Sequence, residues 1–160
     1  MSYHIDIQHV CDDKLPISDE ILNQWVQLTL TKHRISGELT LRFVQPDEMT
    51  HLNFSYRKKN KVTNVLSFPA NLPKEIQLDV PLLGDVVICP VVLQEESQQL
   101  NKPLTEHWAH IVIHGVLHLL GFDHIEDDDA RVMQAHEIQL LAELGFENPY
   151  HVEVDELEQR

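Results

Sequence analysis

The feature that most narrows what this chain can fold into is the stretch from Leu104 to Leu120, apolar almost all the way round yet crossed by a row of histidines. On a helix turning about 100° per residue, His107, His110, His114 and His118 fall within an arc of roughly 80°. Ile111, Val112, Ile113, Val116, Leu117, Leu119 and Leu120 take up most of the remaining circumference. A helix so clothed must be largely buried. Imidazoles carried into an interior without partners are costly, so the row must face a ligand, water or a metal.

Within the row, His114 and His118 stand one turn apart and can close on one ion. His110 lies about 12 Å along the axis from His118 and is a poor third ligand. Gly121 sits where a helix can stop in a left-handed conformation and turn the chain back. His124, three residues on, is then placed to reach the same ion from outside the helix. His107 and His110 read as supports of the ligands or as solvent-facing groups, and His136 as an ordinary surface residue.

Three neutral imidazoles leave a tetrahedral ion one open place, the catalytic rather than the structural arrangement. An ion so held brings its bound water to a pKa of about 7, which points to hydrolysis. One Zn²⁺ per chain is the first expectation, although imidazole also suits Ni²⁺, Co²⁺ and Cu²⁺. The spacing H-x-x-x-H-x-x-G-x-x-H is that of metzincin peptidases, which need Glu directly after the first His as general base. Here that place is Gly115, and Glu106 points away from the histidine row. Asp123 is the nearby carboxylate that can substitute as proton carrier; otherwise it orients His124 or caps the turn.

Charge is distributed unevenly. Of 12 Lys+Arg and 26 Asp+Glu in 160 residues, the segment 123–160 alone is net −10. Between Met49 and Lys74 there is no acid, but Arg57, Lys58, Lys59, Lys61 and Lys74 are all basic. The overall acidity argues against indiscriminate nucleic-acid binding, DNA included, but not against one local anionic site. Arg57 is the residue of interest there, because a guanidinium grips a phosphate through two parallel hydrogen bonds. Tyr56 and Phe68 offer stacking surfaces for unpaired bases, although aromatic side chains more often belong to the core. No sustained apolar run marks a signal peptide or membrane span. Two cysteines cannot build a disulfide framework, which suits a reduced, cytoplasmic protein.

The remaining pattern predicts an α+β fold: a single mixed sheet of about four strands with about five helices packed on it, and the metal site on a buried central helix. Strands are expected at Tyr3–Val10, from Gly37 through Phe43, at Val65–Phe68 and at Gly84–Cys89. Helices are expected from Ser18 to Thr31 with stripe Ile21, Leu22, Trp25, Val26 and Leu28, then from Pro46 to about Tyr56, at Val91–Leu100, at Leu104–Leu120 and at Asp127–Leu144. In the last, Ala130, Met133, Ile138, Leu141 and Leu144 are expected inward. Ala70 to Pro81 reads as a loop. Residues 1–150 make one domain and 151–160 a loose acidic tail.

Four blocks carry a resemblance: Leu52-Asn53-Phe54-Ser55-Tyr56-Arg57, Thr63-Asn64-Val65-Leu66-Ser67-Phe68-Pro69, Gly84-Asp85-Val86-Val87-Ile88, and His114 to His124. In this order they closely resemble the YbeY family of bacterial metal-dependent endoribonucleases. Many members have Asp where Asn64 stands. The resemblance implies a zinc site at His114, His118 and His124 and a functionally important Arg57. It also implies cleavage of single-stranded RNA, maturation of the small-subunit rRNA 3′ end, and association with the ribosome and its assembly factors. Asn64, Ser67 and Asp85 belong to the same blocks but read as turn, strand or cap residues. Two rivals stand beside this reading: a metalloprotease on the same histidines, and a non-catalytic ribosome-assembly factor whose ion pins Phe122–Ile125 to the helix.

Overall fold

Alternation decides the centre of the sheet. In β2 (Gly37–Phe43), Leu39, Leu41 and Phe43 point one way and are sealed from solvent, while Thr40 and Arg42 point the other. The computed structural model, which describes residues 3–11, 14–70 and 80–150, places β2 between β1 (Tyr3–His9) and β4 (Leu82–Ile88), both parallel to it. β3 (Val65–Pro69) lies antiparallel to β4 at the edge, giving the order β1-β2-β4-β3. The sheet is thus mixed and four-stranded, as expected.

Parallel neighbours need a crossover, and α1 (Asp19–Lys32) supplies the one between β1 and β2. Its start is fixed by Ser18, whose Oγ accepts a hydrogen bond from the Ile21 N–H at 3.3 Å. The buried stripe is Leu22, Trp25, Val26, Thr29 and Leu30; Ile21, expected to join it, is 40% exposed, because it lies on the solvent side of the first turn. α2 (Pro46–Arg57) follows β2 with Pro46 in its first turn, where a missing N–H costs nothing. α3 (Pro90–Gln99), α4 (Leu104–Leu119) and α5 (Asp127–Glu143) follow, giving five helices among the described residues, as expected.

α4 is the hub. It packs against α1, α3, α5, β3 and β4, and its apolar residues join Leu39, Leu41, Phe43, Val86 and Ile88 in the main core. Gly115 makes its closest approach to the sheet: a Cβ there would stand 2.6 Å from Val86 Cγ1 and 3.2 Å from Val65 Cγ2. Ser67 Oγ donates to the Gly115 carbonyl at 2.8 Å and fastens β3 to the same turn. A smaller cluster of Val44, Met49, Leu66, Val87 and Cys89, with Leu52 and Phe68 against it, holds α2 to the other face.

α5 departs from its expected inward face. Met133 and Leu141 are buried as expected, but they are joined by Leu140 and Glu137, while Ala130, Ile138 and Leu144 are only partly buried. His136 is not an ordinary surface residue: its ring lies 4.9 Å from that of His33 and 4.7 Å from that of Phe122. The packing of α5 across the end of α4 turns it inward, and burial lowers its pKa. The loop expected over Ala70 to Pro81 falls mainly, and the acidic tail over 151–160 wholly, outside the described residues. Among the described residues no helix is long and apolar enough to cross a membrane.

Candidate metal centre

The end of α4 is shaped to bring a third histidine back. Gly121 takes φ +100°, and its N–H donates to the His118 carbonyl at 3.1 Å. The Phe122 N–H reaches the Leu117 carbonyl, also at 3.1 Å. This pair of bonds is the Schellman ending, which reverses the chain and satisfies carbonyls the helix leaves open. Asp123 then accepts from the N–H groups of His124 and Ile125 at 2.6 and 3.2 Å. Of the roles expected for it, these bonds are those of a residue that caps the turn.

The result is a triangle of imidazoles. Ring centroids are 4.8 Å apart for His114 and His118, 4.9 Å for His118 and His124, and 5.5 Å for His114 and His124. One ring nitrogen from each lies within 4.8 Å of the others, a spacing that suits a first-row divalent ion. Burial, together with the neighbouring charges of His114 and His124, brings His118 from its ordinary 6.5 to about 4. It is therefore neutral at pH 7, with a lone pair to give.

The three rings open into a cavity of about 230 Å³ that Arg57, Thr63, Asn64, Val65 and Ser67 also line. Arg57 enters from the last turn of α2, which ends at the left-handed Lys58 (φ +61°). The basic loop beyond is pinned from beneath: buried Asn53 donates its amide to the Lys61 carbonyl at 2.9 Å. Asn64 turns its amide toward Glu96, at 3.3 and 3.2 Å, and the second partner of Glu96 is His107 at 2.9 Å. His107 therefore supports a carboxylate beside Asn64 rather than the histidine triangle. Asp85 lies elsewhere, in a larger cavity of about 660 Å³ that includes Tyr56, Phe68 and Arg42. Ser67 borders both spaces. Tyr56 is 68% exposed and meets Phe68 edge-on at 4.8 Å.

Two participants escaped the sequence reading. Glu137 is wholly buried in α5, and its Oε1 lies 2.7 Å from Nδ1 of His114. The Tyr150 hydroxyl donates to Glu137 Oε2 at 2.6 Å, and His110 Nε2 stands 3.2 Å from that hydroxyl. Burial alone would raise the Glu137 pKa, but hydrogen bonds from His110 and His114 outweigh it and bring the carboxyl to about 2. His110, His114 and Glu137 also form a second group with metal-ligand spacing, and their mutual hydrogen bonds account for the closeness. A signal for Glu137 was present, since it lies one turn after Met133 and one before Leu141, an acid inside an apolar stripe. Tyr150 carried none.

Residues 8–145 match the family model described as Endoribonuclease YbeY. A protein named Endoribonuclease YbeY from Legionella pneumophila (strain Paris) is 58% identical over 158 residues, covering 99% of this chain and 100% of its own. One of the same name from Pseudomonas putida is 51% identical over 146 residues, 91% of this chain and 92% of its own. The solution structure of TM1509 from Thermotoga maritima superposes with a TM-score of 0.59 at 25% identity, over 84% of this chain and 86% of that one. Matched along nearly its whole length, the chain belongs to the endoribonuclease YbeY family.

Proposed function

We propose that this protein is a metal-dependent endoribonuclease that cleaves single-stranded RNA in the maturation of the small-subunit rRNA 3′ end. His114, His118 and His124 hold one ion, for which Zn²⁺ is the first choice, and Arg57 steadies the scissile phosphate. The observation that carries this reading is a single cavity shared by three imidazoles and one guanidinium. Its relatives bear the name of endoribonuclease.

When bound, a divalent ion supplies Lewis acidity and a nucleophile made from water at neutral pH. The chain's own residues do the rest. The planar guanidinium of Arg57 offers paired donors to a phosphodiester and meets the charge that builds on it. Tyr56 and Phe68, beside Arg57 at the mouth of the neighbouring cavity, accept unpaired bases by stacking. This accounts for a preference for single strands, since a paired base offers no face to them. The work belongs in the cytoplasm, with the ribosome, its small subunit and assembly factors as partners.

The peptidase alternative meets a steric objection. A Cβ at the position after His114 would stand 2.6 Å from Val86 Cγ1, so the packing of α4 on the sheet leaves no room there for the carboxylate a peptidase needs. The test is metal analysis together with cleavage of a labelled single-stranded RNA by wild type, His118→Ala and Arg57→Ala proteins purified identically. One ion per chain is expected in wild type and in Arg57→Ala, but not in His118→Ala. Cleavage should fall about 100- to 1000-fold in Arg57→Ala, the usual cost of losing one donor to transition-state charge. Variants that cut as well as wild type would leave the assembly-factor reading in place.

A further inference from the structure

Among the described residues, Glu137 is the one acidic side chain shut off from water. A carboxylate stays ionised in such a place only when donors meet its oxygens. Both are met, by groups from two other parts of the chain. Oε1 faces Nδ1 of His114 on α4 at 2.7 Å, with His110 Nε2 at 3.4 Å. Oε2 faces the hydroxyl of Tyr150, beyond the end of α5, at 2.6 Å.

The protons in this network can be placed one by one. A carboxylate only accepts, so the single O–H of Tyr150 is spent on Oε2. The contact between Tyr150 and His110 at 3.2 Å then needs its proton from His110 Nε2. By the same rule the 2.7 Å contact between His114 and Glu137 takes its proton from Nδ1. A neutral imidazole carries one N–H, so Nε2 of His114 keeps its lone pair. That is the nitrogen left for the cluster with His118 and His124. The opposite tautomer would set an acceptor against the carboxylate and a proton where the ion belongs.

We infer that Glu137, seated by Tyr150 and His110, is a positioning residue that locks His114 with Nε2 free and thereby sets the affinity of the site for a divalent ion. The inference rests on reading His114, His118 and His124 as the ligands. Partners of this kind orient a ligating imidazole and raise its basicity, and losing one commonly weakens metal binding about 10- to 100-fold. The glutamate also supplies a fixed negative charge behind a site whose three ligands are all neutral.

The test uses the full chain, zinc alone as the probe, and no activity measurement. Affinity is read by competition with a chromophoric chelator at neutral pH, with helical content checked by circular dichroism. Glu137→Gln should bind zinc about 10- to 100-fold more weakly, and Tyr150→Phe should weaken it by a smaller factor. Adding Tyr150→Phe to Glu137→Gln should cost little more, because both act through one carboxylate. In metal-free wild type, nitrogen-15 correlation spectra should find His114 protonated at Nδ1. A folded Glu137→Gln that binds zinc as tightly as wild type, or a His114 protonated at Nε2, overturns the inference. Should Glu137→Gln not fold, Tyr150→Phe decides, since it removes one oxygen and leaves the ring; unchanged affinity there overturns it equally. His118→Ala separates the two readings. If it too keeps wild-type affinity, the ligand assignment has failed; if it alone loses zinc, only the role of Glu137 has.

Discussion

Gly115 shows how one residue can serve packing and chemistry together. It lets α4 settle against β4 and β3, and its contact with Val86 leaves no room for a side chain. Overpacking a tight interface costs typically 1–3 kcal/mol, so Gly115→Ala should lose about that much in urea unfolding; a variant as stable as wild type would show that α4 can lift at no cost. His118 makes a second expectation at this scale. Burial and the adjacent imidazoles hold it at about 4, against an ordinary 6.5. Between those values the unfolded chain binds more protons than the native one, so native stability falls as the pH drops through that window and is unaffected above it. Glu137 has the opposite chemistry but the same sign: its stabilisation is complete above its ordinary 4.5 and is lost on the way down to about 2. Unfolding midpoints of chelator-treated wild type should therefore decline from pH 6.5 to pH 4 more steeply than those of His118→Gln. Parallel declines would mean that His118 titrates as it does in water.

At the scale of elements, the turn after α4 carries the third histidine, and its geometry depends on Gly121. Nothing lies within 4 Å of a Cβ built there, so Gly121→Ala meets only the conformational penalty of φ +100°. That penalty is about 1–2 kcal/mol for an L side chain. The variant should unfold earlier by that amount and bind zinc more weakly, as His124 loses its fixed return path. Unchanged zinc binding in a destabilised protein would show that His124 finds the site without the turn. This turn was legible in the sequence because a glycine and a histidine at fixed offsets follow from helix geometry alone. The strands were legible from local pattern too: β1 and β2 as alternations, β3 as a short run that Pro69 ends, and β4 as a compact apolar run after Gly84. Glu137 was missed because the periodicity of α5 identifies its inner face only through apolar residues, and a paired acid there looks like a solvent-facing one. His107 and His110 share one arc of α4 with His114 and His118, yet they serve Glu96 on α3 and Glu137 on α5 respectively. Wheel arithmetic places side chains around one helix; which neighbour meets them is a tertiary fact.

For the whole molecule the governing fact is charge. A chain with 26 acids and 12 bases repels a polyanion over most of its surface. The first turn of α5, Asp127 to Asp129, faces outward and adds to that field. RNA can approach where the acids are absent, and among the described residues that place is the exposed run Arg57, Lys58, Lys59 and Lys61, whose first member lines the histidine cavity. Binding to single strands releases counterions in proportion to the phosphates neutralised, with a slope of about −0.7 per contact in a plot of log affinity against log salt. Four cations therefore limit the slope to about −3. Fluorescence anisotropy of a labelled single-stranded RNA, with chelator present to prevent cleavage, measures it directly. A slope of about −3 or shallower, reduced by about 1.4 units in a Lys58→Ala/Lys59→Ala variant, is the outcome that a single local patch requires. A slope steeper than about −5 would mean that the RNA follows a longer basic path, and would sink the patch. Such shallow dependence also has a consequence for function. With few phosphates held, affinity must come from stacking on Tyr56 and Phe68 and from the phosphate in the cavity, so Tyr56→Ala should weaken RNA binding without changing the slope.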